Sequence, residues 1–231
     1  MQSFAETLIT NASLLVNLPS FAEACDLARR HGFQDRVGLH LNVTEGAPLT
    51  DAMRRSPEFC VDGQFLPPHR LRRYLPLSAS ARRAVAEEAR AQIAAAREQG
   101  IRLSHLDSHN DVHTIPSIGS ILVPIARAEG ITRIRLSRNC GPRRGILRRL
   151  QQKLYNSWMG LDGDPVRHFG TIDDMLWLAR KGRLGPHVAV EIMTHPRLGE
   201  AGAILDAPSM QPLAERLRLL QPYLSFISVS A

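Results

Sequence analysis

Ser104-His-Leu-Asp-Ser-His-Asn-Asp-Val-His113 is the stretch from which the fold and the chemistry of this chain are read. His105, Asp107, His109, Asp111 and His113 occupy every second position of it. Side chains alternate between the two faces of an extended strand, so these groups would line one surface. Ile101 and Leu103 lead in as a buried strand. Asn110 and Asp111 weaken strand character, so the strand is expected to end near His109 and pass into a loop. Imidazoles and carboxylates together suit zinc and similar divalent ions. The plain alternative is a solvent-facing polar strand with idle histidines. Clustering of three of the chain's nine histidines with two aspartates in ten residues favours a functional group.

Outward from this stretch the pattern alternates between strand and helix. Leu8 to Asn17 reads as a buried strand. Ser20 and Glu23 form a capping-box pattern ahead of Phe21, Ala24, Leu27 and Ala28 at helical spacing, with Gly32 as the stop. Val37 to Asn42 is a strand with His40 near its end, followed by the loop Thr44-Glu-Gly-Ala-Pro48, so the first two strands are expected to be parallel. Residues 49–77 carry Pro57, Gly63, Pro67, Pro68 and Pro76 and are expected to be irregular, a lid or binding loop. Ser80 to Gln99 is the clearest helix, with Val85, Ala89, Ile93 and Ala96 as its apolar stripe and Gly100 at its end. After the histidine-rich strand come a helix, Pro116 to Glu129, with Pro124 as a kink, and a strand, Ile131 to Leu136. Farther on, Ile146 to Trp158 and a capped Thr171 to Arg180 read as helices. Val188 to Met193 is a buried strand ending in Thr194-His195-Pro196. Pro212 to Leu220 is a helix and Phe226 to Val229 a last strand. This alternation is the α/β signature, and 231 residues fit one such domain, 1–231.

Composition narrows the function classes. Hydrophobic residues make up 44% of the chain, enough for a sizeable core. No run of about 18 apolar residues is present to span a membrane. No leader pattern is seen at the N-terminus, and Cys25, Cys60 and Cys140 are widely spaced and odd in number, which together point to the cytoplasm. The net charge of +7 comes from arginines spread over several helices, with one cluster of Arg143, Arg144, Arg148, Arg149 and Lys153. Without a recognition motif or interleaved aromatics, a solvated surface is the better reading than a nucleic-acid groove.

His40, His109 and His195 each fall at the C-terminal end of an expected parallel strand. Active sites of α/β sheets and barrels are built at that edge. Taken singly, His40 could be a satisfied core histidine and His195 a strand terminator.

Thr10-Asn-Ala-Ser-Leu-Leu-Val-Asn17, Gly38-Leu-His-Leu-Asn-Val-Thr-Glu-Gly46, the 104–113 stretch and Glu191-Ile-Met-Thr-His-Pro196 resemble the YdjC-like carbohydrate deacetylases, the family of the chitooligosaccharide deacetylases and of hopanoid-associated relatives. The resemblance implies a distorted TIM-like (β/α) barrel holding a divalent metal, zinc or magnesium. It implies His40 and His109 as metal ligands, His195 as general acid, and Asp107 as support for a neighbouring histidine. It places His105, His113 and Arg135 on the substrate side. The family pattern also has an Asp-Asp pair ending an earlier strand, which supplies a third ligand and the general base. No such pair precedes Leu8, so one βα unit of about 30 residues is expected to be missing, through a late start or a true loss.

On this resemblance the chain is expected to hydrolyse N-acetyl groups of an amino-sugar substrate, as a possible homodimer. Competing readings are an inactive, sugar-binding family member, a metallophosphoesterase using the same histidine-rich strand, and, on charge alone, a nucleic-acid binder.

Overall fold

A computed structural model describes residues 2–71, 76–141, 145–159, 166–184, 189–200 and 202–224. The chain divides into two compact units, one built from Asn11–Arg135 and the other from the residues up to Thr10 together with those from Leu136 onward. One helical turn, α1 (Gln2–Ala5), opens the chain.

The Asn11–Arg135 unit is a three-stranded parallel sheet with helices. β1 (Ala12–Leu14) leads through α2 (Phe21–Arg30) to β2 (Val37–Leu41). α3 (Asp51–Arg54) and a hairpin of β3 (Cys60–Val61) and β4 (Gln64–Phe65) follow, then α4 (Ala79–Glu98), β5 (Leu106–Ser108) and α5 (Pro116–Ala128). The sheet order is β1-β2-β5, with β2 central. Central position on a parallel sheet demands burial of both faces. Val37, Gly38, Leu39 and Leu41 of β2 are all buried.

α4 forms because Ser78 caps it, accepting a bond from the Ala81 amide at 3.2 Å, and because good helix formers fill it. Its buried stripe contains Ala84, Val85, Ala89, Ile93 and Ala96, and it packs on β2, α3 and α5. The small alanines permit close approach. Each large aliphatic side chain such as Ile93 contributes about 1.5–3 kcal/mol of burial. Gly100 ends the helix at φ +75°, in the left-handed region that glycine enters without penalty.

The second unit contains α6 (Ile146–Met159), β6 (Val166–Thr171), α7 (Ile172–Arg180), β7 (Ala189–Met193), β8 (Pro196–Leu198), β9 (Ile204–Asp206), β10 (Gln211–Pro212) and α8 (Leu213–Arg218). β6 and β7 pair in parallel, while β8, β9 and β10 form an antiparallel sheet. Ile172, Met175, Leu213 and Leu220 are at the centre of its core. α7 carries the capping box: Thr171 and Asp174 each bond the other's backbone amide.

Several expected elements change in the structure. The Ser20–Glu23 pattern does not cap α2: Ser20 itself is helical at φ −76°, ψ −2°, so its hydroxyl makes no cap bond. The strand expected over Leu8 to Asn17 shortens to Ala12–Leu14. That over Ile131 to Leu136 is reduced to one parallel bridge, Leu106 to Ile134. Residues 49–71 are not structureless, since α3, the hairpin and the link between them bury Met53, Phe59, Cys60 and Phe65. The expected last strand, Phe226 to Val229, lies outside the described residues. No helix among the described residues is long and apolar enough to cross a membrane.

Ile93→Ala should lower stability by about 2–5 kcal/mol. Urea denaturation checks this, and a loss under 1 kcal/mol would contradict the packing assigned to α4.

Candidate functional site

Strand register builds the site in the Asn11–Arg135 unit. β1 and β2 align Ser13 with Gly38, and β2 and β5 align His40 with Asp107. Asp107 is fully buried, at 0% exposure. His40 donates from Nδ1 to Asp107 Oδ1 at 2.7 Å, and Ser13 Oγ donates to Oδ2 at 3.1 Å. The Arg135 guanidinium also contacts Oδ2. Arg135 is held there because its amide bonds the Leu106 carbonyl at 2.9 Å, laying residues 133–135 beside β5. Burial alone would raise the pKa of Asp107. The bond from His40 and the positive charge of Arg135, with His40 and His105 adding to it, outweigh burial and hold the carboxyl well below the usual range.

His105 covers the same face. Its Nδ1 is 2.9 Å from Ser104 Oγ, and its ring rests on the backbone of Gly38. A Cβ at residue 38 would come within 2.5 Å of the imidazole, so only glycine admits the ring.

The alternation stops at Ser108. His109–Thr114 is a kinked 3-10 segment in which Asn110 and Asp111 both sit at φ +55°. Asn and Asp tolerate this left-handed region better than other side chains do. The five alternating groups therefore do not share one strand face, which corrects the expectation from spacing. The turn carries His109 to 5.6 Å from the His40 ring, centroid to centroid, at 66°. His109 Nε2 is 2.9 Å from Glu45 Oε2. Burial, and secondarily the charge of His40, lowers the His109 pKa against the opposing influence of Glu45.

His113 turns inward and is fully buried. Its Nε2–H donates to the Arg135 carbonyl at 3.0 Å, and its Nδ1 accepts from Ser108 Oγ at 2.5 Å. Both ring nitrogens are thus engaged internally, and the ring ties the turn to the Arg135 segment.

His195 belongs to the other unit, where it follows β7 with an exposed side chain. Its backbone amide donates to Asp206 Oδ1 at 3.3 Å, which fixes the chain at that point.

The residues fit a divalent metal in part. With the Nδ1 proton of His40 committed to Asp107, the Nε2 lone pair is left for a ligand, as carboxylate–histidine–metal sites require. Yet among the described residues no group of three His, Cys, Asp or Glu side chains is placed to hold an ion. His40 and His109 can supply two donors of the right kind, and the described residues do not supply the third. Ser13 and Glu45 were missed by sequence reasoning. Ser13 could have been found by pairing it with β2 in parallel register.

The profile of the family described as YdjC-like protein matches residues 1–219. This chain belongs to that family. A carbohydrate deacetylase of Vibrio vulnificus (strain YJ016) is 37% identical over 123 residues, which cover 52% of this chain and 45% of that protein. A carbohydrate deacetylase of Mus musculus is 32% identical over 145 residues, covering 61% of this chain and 46% of that protein. The chain thus spans a little under half the length of these curated relatives. A crystal structure of a candidate cellobiose-phosphate cleavage protein from Enterococcus faecalis V583 superposes with TM-score 0.69 at 19% identity, covering 94% of this chain and 84% of that one. This last likeness is one of mixed α/β fold.

Asp107→Ala leaves the Arg135 guanidinium without its buried carboxylate and should cost about 3–5 kcal/mol in chemical denaturation; a loss below 1 kcal/mol would contradict the arrangement. His113 gives a pH dependence. Burial, the largest influence, lowers its pKa from 6.5, so below that pH the unfolded chain takes up a proton that the folded one resists. Stability should therefore rise with pH through that window and be lost as pH falls below it. Replacing His113 with Gln should reduce this slope by roughly 1 kcal/mol per pH unit, and an unchanged slope would contradict it.

Proposed function

We propose that this YdjC-like chain is a hydrolase that removes N-acetyl groups from amino sugars, oligosaccharide or glycolipid, using a divalent metal, zinc or magnesium. The observation that carries the reading is His40, oriented by the buried Asp107 and lying beside His109. Family membership and the deacetylase names of the matched relatives support it. On the same reading the fold is a distorted TIM-like (β/α) barrel. A homodimer in the cytoplasm goes with it.

His40 and His109 would hold the ion together with a ligand outside the described set. When bound, it supplies Lewis acidity to the amide carbonyl and to a water molecule. The chain's own residues do the rest. Asp107 keeps the His40 proton on Nδ1, and Ser13 and Arg135 keep the Asp107 carboxylate in place. Of the three residues the resemblance puts on the substrate side, His105 and Arg135 are read as facing the sugar. His113, fully buried with both ring nitrogens bonded internally, departs from that expectation and stiffens its own turn. An amine leaves poorly unless protonated, and the family resemblance implies His195 for that proton transfer.

A second reading is an inactive, sugar-binding member of the family, favoured by the want of a third ligand among the described residues. The test is acetate release from N-acetylglucosamine oligomers by zinc- or magnesium-loaded protein. The expected result is turnover that chelator abolishes and that His40→Ala lowers by at least about 100-fold. Sugar binding without acetate release would favour the second reading, and phosphate release from a sugar phosphate would favour a phosphoesterase.

A further inference from the structure

The geometry points to Glu45 as a positioning residue that sets the tautomer of His109, an inference resting on the reading of His40 and His109 as a ligand pair. Each of these histidines has a carboxylate on one ring nitrogen, but not on the same one. Asp107 takes Nδ1 of His40 at 2.7 Å, and Glu45 takes Nε2 of His109 at 2.9 Å. An ionised carboxylate only accepts, so the nitrogen it touches carries the hydrogen. His40 is thereby left with a free lone pair on Nε2, and His109 with one on Nδ1.

An isolated ion pair at a surface contributes little, and Glu45 is 55% exposed. Its backbone, however, is not free to move. Its amide donates to Asn42 Oδ1 at 3.1 Å, and its carbonyl accepts from Asn17 Nδ2 at 2.9 Å and Asn42 Nδ2 at 2.8 Å. Next to it, Thr44 Oγ1 accepts from Asn110 Nδ2 at 3.0 Å, which joins the Glu45 loop to the turn that carries His109. Both sides of the contact are held by the same bond.

The loop is in turn anchored from α4. Buried Gln92 bonds the Asn42 amide at 3.0 Å and the Asn42 carbonyl at 2.7 Å. Buried Glu88 accepts from the amides of Leu49 and Thr50, each at 2.9 Å, and from the Thr50 hydroxyl at 2.8 Å. Polar side chains buried this completely are kept by the bonds they satisfy. Here those bonds clamp residues 42–50 at both ends. A carboxylate delivered to one imidazole by such a scaffold acts as an orienting partner, the role Asp107 has for His40.

The test uses the full metal-free chain with isotope-labelled histidine nitrogens. Long-range proton–nitrogen correlations should give His40 as the Nδ1–H form and His109 as the Nε2–H form. Glu45→Ala should convert His109 to a mixture of tautomers and weaken zinc binding, measured by calorimetry with the ion alone, about 10-fold. Its unfolding midpoint should stay unchanged. Glu45→Gln keeps an accepting oxygen and should keep the wild-type tautomer. An Nδ1–H form of His109 in the wild type would overturn the proposal and make Glu45 and Nε2 candidate ligands of one ion. A tautomer untouched by Glu45→Ala would overturn it as well. Failure of acetate release with the Nε2–H form in place would instead count only against the proposed reaction.

Discussion

One buried carboxylate governs the Asn11–Arg135 unit. Taking Asp107 out of water is costly, and the cost is offset only if its oxygens are met by well-placed donors. Those donors come from Ser13 of β1, His40 of β2 and Arg135 beyond β5. Each must be in register for the carboxylate to be tolerated, so the pairing of three short strands and the chemistry of the site are one requirement. Three-residue strands such as β1 and β5 have few ladder bonds with which to specify register themselves. The polar cluster supplies discrimination that a one-residue slip would destroy, because a slip turns every side chain to the opposite face.

The two histidines beside that carboxylate are positioned by different means. His40 rides on a central strand and inherits its rigidity. His109 sits on a turn whose left-handed residues, Asn110 and Asp111, are held by side-chain bonds rather than by a ladder. A site that places one group on the sheet and its neighbour on a loop has precision on one side and adjustability on the other. His113 limits that adjustability by pinning the far end of the turn to Ser108 and Arg135.

Much of this was legible in the sequence where the signal is local. The stripe on α4, the strand carrying His40, the end of the next strand near His109 and the capped helix at Thr171 all follow from spacing and capping chemistry. What spacing could not reveal was anything set by register between distant segments. Alternation placed five polar groups on one face, but two positive-φ residues end the strand and send His109 and His113 different ways. The resemblance names Arg135 for the substrate side, yet nothing local tells that its guanidinium meets Asp107. The antiparallel strands β8, β9 and β10 are two or three residues long, below the length at which a period of two can be distinguished from chance. Glu88 and Gln92 were the subtlest omission. They interrupt the apolar stripe at positions where a helix this alanine-rich should be dry, and such an interruption marks a buried polar contact.

The clamp from Glu88 and Gln92 has a consequence for how this region comes apart. The amides of Asn42, Leu49 and Thr50 are bonded to side chains of α4, not to a neighbouring strand. Their exchange with solvent deuterium should therefore depend on release of the Glu88 and Gln92 side chains, which couples the loop to α4. Any motion that exposes the loop must first break its bonds to two buried side chains of a twenty-residue helix. Fluctuation near His109 is thus coupled, through Thr44 and Asn110, to α4 as well as to its own short turn.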